Sequence, residues 1–227
     1  MKRTITVVLA LLLTVCSLLL AVSCGKSSTS IDLSKCYTKK LEPVSYETDY
    51  VQFEIEGGAY IVVQLYPEIA PITVANFKSL VASHFYDGLT FHRVYPGFMI
   101  QGGDPDGNGT GGASTKIKGE FALNGVDNTI SHVRGVISMA RSKAYDSASS
   151  QFFICQADCS ASLDGSYAAF GRVIAGMETV DAIVSVPCKV NPVTGETRRD
   201  SKGNTYGTFP IDPVTITAVT FVSPAGN

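Results

Sequence analysis

A permanent cation lies among apolar and amide side chains in the stretch FHRVYPGFMIQGGD. Arg93 is followed, after a Pro-Gly turn, by Phe98, Met99 and Gln101. Strand side chains alternate between two faces, which predicts that Phe91 and Arg93 share one face. The same period predicts that Met99 and Gln101 lie together on the returning strand. Because an arginine stays protonated and presents several fixed donors, it could stabilise an electron pair that develops beside an apolar substrate group.

The same stretch also fits a hairpin with no catalytic role, in which the arginine lies on the surface and the hydrophobic residues lie in the core. An isolated motif of this kind is more often structural than functional. The glycine-dense loop that follows matches two other patterns in part. Residues 104–109 begin like a calcium loop, but the twelfth position is Thr115 rather than glutamate. Gly107, Gly109 and Gly112 match a dinucleotide fingerprint, yet no strand-helix-strand unit is predicted around them. Since the three histidines are scattered as well, we predict neither a bound nucleotide nor a metal site.

The sequence predicts mostly β-strands as the elements that position Arg93 and its neighbours. Gly57 and Gly58 separate two alternating runs, as in a hairpin. Helices are predicted from Pro71, with an apolar face that reaches Val81, and at 177–184. Eight strand candidates, two helices and no regular alternation between them indicate a mostly β, closed eight-stranded antiparallel barrel. The strand candidates cover residues 50–56, 60–66, 89–94, 99–101, 133–140, 151–155, 167–174 and 213–222.

One long segment, residues 188–212, fits none of these elements. It is rich in Gly, Pro, Thr and charges of both signs. A loop of this length is either functional or mobile. Because it shows no periodicity, we expect a mobile, irregular insertion, which could influence the choice of protein that is bound.

The N-terminus has a short basic start and then an almost wholly apolar run at 5–22. Small residues precede Cys24 and polar ones follow it, which is typical of a bacterial lipoprotein signal at 1–23 with lipid on Cys24. Residues 24–48 are then expected to form a flexible tether, and 49–227 one folded domain. An uncleaved membrane anchor is the alternative, because about 18 apolar residues can just span a bilayer. Both versions place the domain outside the cytoplasm, at the bacterial cell membrane.

The composition is that of a globular protein, with 45% hydrophobic and 17% charged residues. The formal charge of −2 and the lack of long basic runs argue against a nucleic-acid partner.

Beyond the signal and Cys24, four cysteines remain, and an extracytoplasmic domain permits disulfides. Their three complete pairings stay open, although Cys155 lies on an apolar strand and is expected to be a buried free thiol. The four are Cys36, Cys155, Cys159 and Cys188.

Four stretches resemble the cyclophilins, the peptidyl-prolyl cis/trans isomerases, in their order and spacing. They read FHR, four residues, FM, one residue, QGGD; then NGTGG; then GVISMAR; then SSQFFI followed by LDGSYAAFG. The resemblance covers roughly residues 50–222. It implies an eight-stranded barrel capped by two helices, isomerase activity on X-Pro bonds of polypeptides, and no cofactor. Combined with the N-terminal signal, it predicts a monomeric, membrane-anchored enzyme that assists the folding of exported proteins.

The resemblance also implies the roles of individual residues. Arg93, Phe98 and Gln101 match the family's catalytic positions. The apolar members are expected to line a proline pocket, while Gln101 and the backbone around Arg141 hold the carbonyl and amide groups of the substrate. The substrate-binding positions are Phe91, His92, Met99, Gly109, Ala140, Arg141, Gln151, Phe153, Leu163 and Tyr167.

Some positions depart from the family pattern. Tyr167 and Arg141 stand where eukaryotic members often have histidine and asparagine. Ser162 stands where many members carry a tryptophan that is important for cyclosporin binding, so the resemblance does not extend to tight binding of cyclosporin. The family alignment also suggests that Cys159 and Cys188 lie on neighbouring loops, which implies a disulfide between them.

Rotation about an X-Pro bond needs no nucleophile. It must break amide resonance over a barrier of about 18–20 kcal/mol. In the twisted state the prolyl nitrogen regains a lone pair, which Arg93 could meet with a donated hydrogen bond. A non-catalytic peptide-binding or chaperone module with the same groove is the alternative function. A small-molecule enzyme is less favoured, since no nucleophile with a base partner is apparent.

Overall fold

The computed structural model describes residues 31–45 and 48–223, and its main feature is one sheet of eight antiparallel strands. The strands of the chain are β1 (Tyr50–Ile55), β2 (Ala59–Leu65), β3 (Arg93–Tyr95), β4 (Met99–Gly102), β5 (Val136–Met139), β6 (Phe152–Cys155), β7 (Ala169–Ala175), β8 (Cys188–Lys189), β9 (Thr197–Arg199), β10 (Thr205–Gly207), β11 (Phe209–Pro210) and β12 (Ile216–Phe221). The order in the sheet is β12-β1-β2-β7-β5-β6-β4-β3. The helices are α1 (Pro71–Ala82), the single turn α2 (Ser160–Leu163) and α3 (Met177–Val184), and 3-10 turns lie at Leu33–Lys35 and Ala122–Asn124.

Strands β1 and β2 form the predicted hairpin. Tyr50 pairs with Gln64 at one end, and Ile55 pairs with Ala59 beside the turn. The turn contains Gly57 with φ 97°, a left-handed value that side chains with a Cβ rarely adopt. This hairpin is confirmed, and it provides the second and third strands of the sheet, next to the edge strand β12.

Helix α1 begins at Pro71, as predicted, because the first helical residue needs no N–H. The preceding Ala70 carries no side-chain acceptor that could cap the helix. A distant carboxylate takes this role, since Glu120 accepts from the backbone N–H of Ile72 at 3.1 Å and of Thr73 at 2.7 Å. Glu120 thereby attaches the start of helix α1 to the segment just before the 3-10 turn at Ala122–Asn124.

An aromatic cluster fills the space between α1 and the sheet. Neighbouring rings in it have centroids 5.1–6.2 Å apart, in tilted or edge-on arrangements. Such pairs contribute about 0.5–1.5 kcal/mol each beyond their buried area. The cluster consists of Phe53, Phe77, Tyr86, Phe91, Phe152 and Phe170.

The predicted closed barrel is not observed. Across the two described ranges, the edge strands β3 and β12 do not pair, and the sheet is curled but open. Strand β3 has only three residues, and its free edge is occupied by the insertion, where the Thr208 carbonyl accepts from the Val94 N–H at 2.8 Å. Single backbone bonds join the segments that precede β3 and β12, such as Phe91 N–H to the Val214 carbonyl at 3.0 Å.

The insertion at 188–212 is more regular than its composition predicts. Strand β8 pairs with β11, and β9 pairs with β10, so the segment forms two short antiparallel ladders. A composition-based reading misses them because each strand has only two or three residues, too few to show an alternation.

The expected tether at 24–48 is described only in part, and residues 31–45 lie against the domain. The Leu41 N–H donates to the Gln52 side chain at 3.0 Å, and Tyr37 accepts from the Tyr60 N–H at 2.7 Å. The packed region therefore starts before residue 49. The predicted signal and Cys24 lie outside the described residues. Within the described ranges, no helix has the length and apolar character needed to cross a membrane.

Candidate functional site

Arg93 and Gln101 face each other across the hairpin of β3 and β4. The two residues are cross-strand partners, as are Tyr95 and Met99. Arg93 Nη1 donates to Gln101 Oε1 at 3.2 Å and lies 3.8 Å from the Met99 sulfur. A cation, an amide and a thioether are thus held together by strand register.

A cavity of about 330 Å³ opens beside this group. Its apolar wall includes Phe98, from the turn before β4, and Phe153, from β6. The single turn α2 brings Leu163 to the opposite side. The complete lining is Arg93, Phe98, Met99, Gln101, Ala140, Arg141, Phe153, Leu163 and Tyr167, all of which were predicted site residues.

A chain of amides leads from the cation to the glycine-rich loop. Gln101 Nε2 donates to Gln151 Oε1 at 2.8 Å. Gln151 Nε2 in turn donates to the carbonyl of Gly111 at 2.7 Å and to that of Gly109 at 3.3 Å. These residues line a second cavity of about 340 Å³ next to the first. The two adjacent cavities together form the groove. The amides are therefore oriented by their partners before any ligand binds.

The side chain of Arg141 is fixed by its own surroundings. Its Nε and Nη2 donate to the Ser166 carbonyl at 2.9 and 2.8 Å. The guanidinium lies 4.8 Å from the centroid of the Tyr167 ring and 4.9 Å from that of Phe121. Arg141 therefore holds the Tyr167 wall in place, and it borders both cavities.

Phe91 does not reach the groove. It is fully buried in the aromatic cluster, with its ring centroid 6.1 Å from that of Phe152. Strand alternation predicts that Phe91 shares the face of Arg93, but β3 begins only at Arg93, and the chain before it is not a regular strand. The assignment of Phe91 to substrate binding is therefore corrected to the core.

His92 lies below the groove. It is 2% exposed, and neither ring nitrogen has a partner among the described residues. Burial lowers the pKa of His92 to about 4, against the opposing charge of Asp104. The ring is neutral at physiological pH, and with Gly109 it borders a third cavity of about 380 Å³.

A serine, a histidine and an aspartate form a hydrogen-bonded chain behind the apolar cavity. His132 Nδ1 lies 2.9 Å from Asp164 Oδ1, and its Nε2 lies 3.0 Å from Ser138 Oγ. Burial lowers the pKa of His132, while its hydrogen bond to the Asp164 carboxylate opposes this shift. The distances suit a nucleophile with a base. Ser138 is fully buried and His132 is 1% exposed, so this chain has no access to a substrate and instead supports Phe153, whose ring stacks on His132 at 6.0 Å.

The predicted Cys159–Cys188 disulfide is absent among the described cysteines, all of which are free thiols. Cys159 lies in the apolar cluster below the groove, where its thiol contacts the Phe98 carbonyl at 3.2 Å. Cys188 contacts the Val186 carbonyl at 3.3 Å instead. Cys155 is a buried free thiol, as predicted, and burial raises its pKa well above the usual range.

Asp104 organises the loop that resembles a calcium site. Its two carboxylate oxygens accept backbone N–H groups from Asp106 at 2.9 Å, Asn108 at 3.2 Å and Gly109 at 2.6 Å. Burial alone would raise the pKa of Asp104, but backbone hydrogen bonds, among them those from Asp106 and Gly109, outweigh it and lower the pKa. The carboxylate thus stabilises the loop that forms one wall of the groove.

Comparison with known proteins identifies the family. The model of the cyclophilin type peptidyl-prolyl cis-trans isomerases matches residues 50–207. The chain belongs to this family. It is 48% identical over 126 residues to peptidyl-prolyl cis-trans isomerase B of Bacillus subtilis, an alignment that covers 56% of this chain and 84% of that protein. It is 40% identical over 155 residues to a peptidyl-prolyl cis-trans isomerase of Helicobacter pylori, covering 67% and 90% of the two chains.

Solved structures agree with this assignment. A cyclophilin type isomerase of Cryptosporidium parvum, crystallised in the presence of the dipeptide Ala-Pro, superposes with a TM-score of 0.62 at 30% identity. The superposition covers 77% of this chain and 99% of that one. The protein is therefore a cyclophilin with peptidyl-prolyl cis-trans isomerase activity, and its mostly β architecture is cyclophilin-like.

Sequence reasoning missed one charged residue in this cyclophilin. Glu196, from the insertion, forms an ion pair with Arg93. The two residues are 103 positions apart, and nothing in the local pattern around Glu196 indicates the contact. Only the fold brings the carboxylate to Arg93.

Proposed function

We propose that Arg93 catalyses X-Pro rotation by stabilising the twisted amide in the 330 Å³ cavity. The observation that carries this role is the position of its guanidinium. Arg93 lines the apolar cavity, and Nη1 lies on the side of Gln101 and Met99. A proline ring seated against Phe98 and Phe153 would bring its nitrogen beside this fixed cation.

The proposed step involves no covalent bond to the enzyme. In the planar amide the nitrogen lone pair is delocalised, and the nitrogen is a poor acceptor. Twisting returns the lone pair to the nitrogen, so a hydrogen bond from Arg93 is stronger in the transition state than in the ground state. Such a differential interaction lowers the barrier. Shortening an event of tens of seconds to milliseconds requires roughly 5–7 kcal/mol, at about 1.4 kcal/mol for each factor of ten.

Gln101, Gln151 and the loop carbonyls are proposed to hold the peptide on one side of the bond. Their amide chain is already oriented, which reduces the entropy lost on binding. With one side of the bond held and the ring in the cavity, rotation is confined to the bond between them. The substitution Arg93→Ala tests the central role in this scheme.

We also propose that this cyclophilin acts outside the cytoplasm on exported proteins, anchored by lipid on Cys24. The support is the sequence pattern alone, an apolar run at 5–22 with small residues before the cysteine. Lipid on Cys24 would hold the domain at the membrane surface, where chains emerge unfolded after export.

The anchoring is tested by expressing full-length Cys24→Ser in a bacterial host and comparing it with wild type. We expect wild-type protein in the membrane fraction as a processed, lipid-labelled species, and the variant as an unprocessed, unlabelled precursor. Cys16→Ser, inside the signal, is the matched control and should be processed normally. Membrane-bound, unprocessed protein for both wild type and Cys24→Ser would instead support the uncleaved anchor.

A further inference from the structure

The insertion places a carboxylate on the arginine of the groove. Arg93 Nε donates to the two carboxylate oxygens of Glu196 at 2.6 and 2.8 Å, and Nη2 lies 2.5 Å from Oε1. The side chains are 25% and 30% exposed, so the pair is largely shielded from solvent. A two-pronged contact of this kind fixes the plane of a guanidinium as well as its position.

The loop that carries Glu196 is itself anchored to the groove. Asn191 is 4% exposed, and its Nδ2 donates to the Asn108 carbonyl in the glycine-rich loop at 2.9 Å. Its Oδ1 accepts from the N–H groups of Val193 at 2.9 Å and Thr194 at 3.0 Å. The turn from 191 to 196 is therefore tied to the same loop that forms the groove wall, and the carboxylate is presented from a fixed base.

Glu196 and the apolar cavity lie on different sides of the guanidinium. Arg93 borders both the 330 Å³ cavity and the 380 Å³ cavity, whereas Glu196 borders only the latter. The carboxylate takes the Nε and Nη2 edge, while Nη1 lies against Gln101. The pair therefore leaves Arg93 available to the apolar cavity.

We propose that Glu196 is a positioning residue, which locks the Arg93 guanidinium so that Nη1 stays at the proline cavity. This inference rests on the proposed catalytic role of Arg93. Without the carboxylate, a long flexible side chain would sample several rotamers, and only some of them would meet the prolyl nitrogen. The loss would fall on the chemical step, because the apolar cavity that binds the ring is unchanged.

The test compares kcat and KM of wild type and Glu196→Gln for a proline-containing peptide. Glutamine keeps the size of the side chain but cannot offer two charged oxygens to the fork. We expect kcat to fall about tenfold with KM changed less than about twofold, since a displaced catalytic group affects the transition state more than binding. The exposed Glu68, outside the cavities, is the matched control, and Glu68→Gln should behave as wild type.

A double-mutant cycle separates positioning from a general effect on the fold. If Glu196 acts through Arg93, Glu196→Gln should cost nothing further in an Arg93→Ala background. The Nε–H resonance of Arg93 should also shift in the Glu196→Gln variant.

A rise in kcat in Glu196→Gln would overturn the proposal and show that Glu196 inhibits the enzyme. An equal loss of kcat in the wild-type and Arg93→Ala backgrounds would overturn it in favour of a structural role. If Glu196→Gln keeps the wild-type kcat while Arg93→Ala loses activity, the positioning role of Glu196 is rejected and the catalytic role of Arg93 stands. If Arg93→Ala is fully active, the catalytic role of Arg93 is rejected.

Discussion

Arg93→Ala is expected to lower kcat/KM for an X-Pro peptide by about 10²–10³-fold, the usual cost of removing one donor that meets developing charge. The loss should appear in kcat, because the bond to the prolyl nitrogen forms only when the amide is twisted. The cavity walls from Phe98 and Phe153 remain, so peptide binding should change little. The measurement is exchange NMR of the peptide with each protein, which yields the rate of interconversion directly.

The control for this substitution is another strand arginine. Arg172 is exposed on β7 and borders none of the three cavities described above. Arg172→Ala removes the same charge and should retain the wild-type rate. If Arg93→Ala keeps its rate within about threefold of wild type, the donor is not the source of the expected 10²-fold effect.

Two adjacent phenylalanines on β6 are expected to give opposite results. Phe152 points into the aromatic cluster, with its ring centroid 5.3 Å from that of Phe53, and is fully buried. Phe152→Ala should lower the free energy of unfolding by about 3–5 kcal/mol, through lost burial and the cavity left behind. The protein that remains folded should still catalyse, because the groove does not contain this side chain.

Phe153 points to the other face and lines the groove. Burial of a hydrophobic group of this size contributes about 1.5–3 kcal/mol, so Phe153→Ala should lower kcat/KM by about 10- to 100-fold. Its cost in stability should be smaller than that of Phe152→Ala, since one side of the ring already faces an open cavity. Urea unfolding and peptide kinetics on both variants make the comparison. Equal losses of stability with unchanged kinetics would show that Phe153 is an ordinary core residue.

Local sequence patterns correctly predicted those helices, strands and turns whose structure depends mainly on the residues within the segment. Two glycines specify the turn of the β1–β2 hairpin, and apolar spacing specifies α3 at Met177–Val184. The convergence of the groove residues was predicted from the family resemblance. Arg93, Phe153 and Leu163 lie on separate elements, and no local pattern encodes how these elements meet.

The expectations that were wrong depended on contacts between distant parts of the chain. Phe91 faces the core because β3 begins at Arg93, four residues after the start of the predicted strand at 89–94. The barrel is open because the insertion, through Thr208, occupies the edge of β3. The same insertion contributes Glu196, whose partner is 103 positions away. In each case the local sequence is compatible with several arrangements, and tertiary packing selects one.

In the proposed mechanism a permanent cation, rather than an acid, a base or a nucleophile, accelerates the rotation. The measurement that tests this mechanism is the pH dependence of kcat/KM for wild type between about pH 6.5 and 8.5, the range in which a general base would titrate. Burial lowers the pKa of His92 to about 4, so this ring is neutral across the range, and burial lowers the pKa of His132 as well. Arginine remains charged throughout. We predict a rate that is constant within about twofold, whereas a sigmoidal or bell-shaped profile with a midpoint in this range would contradict the electrostatic mechanism.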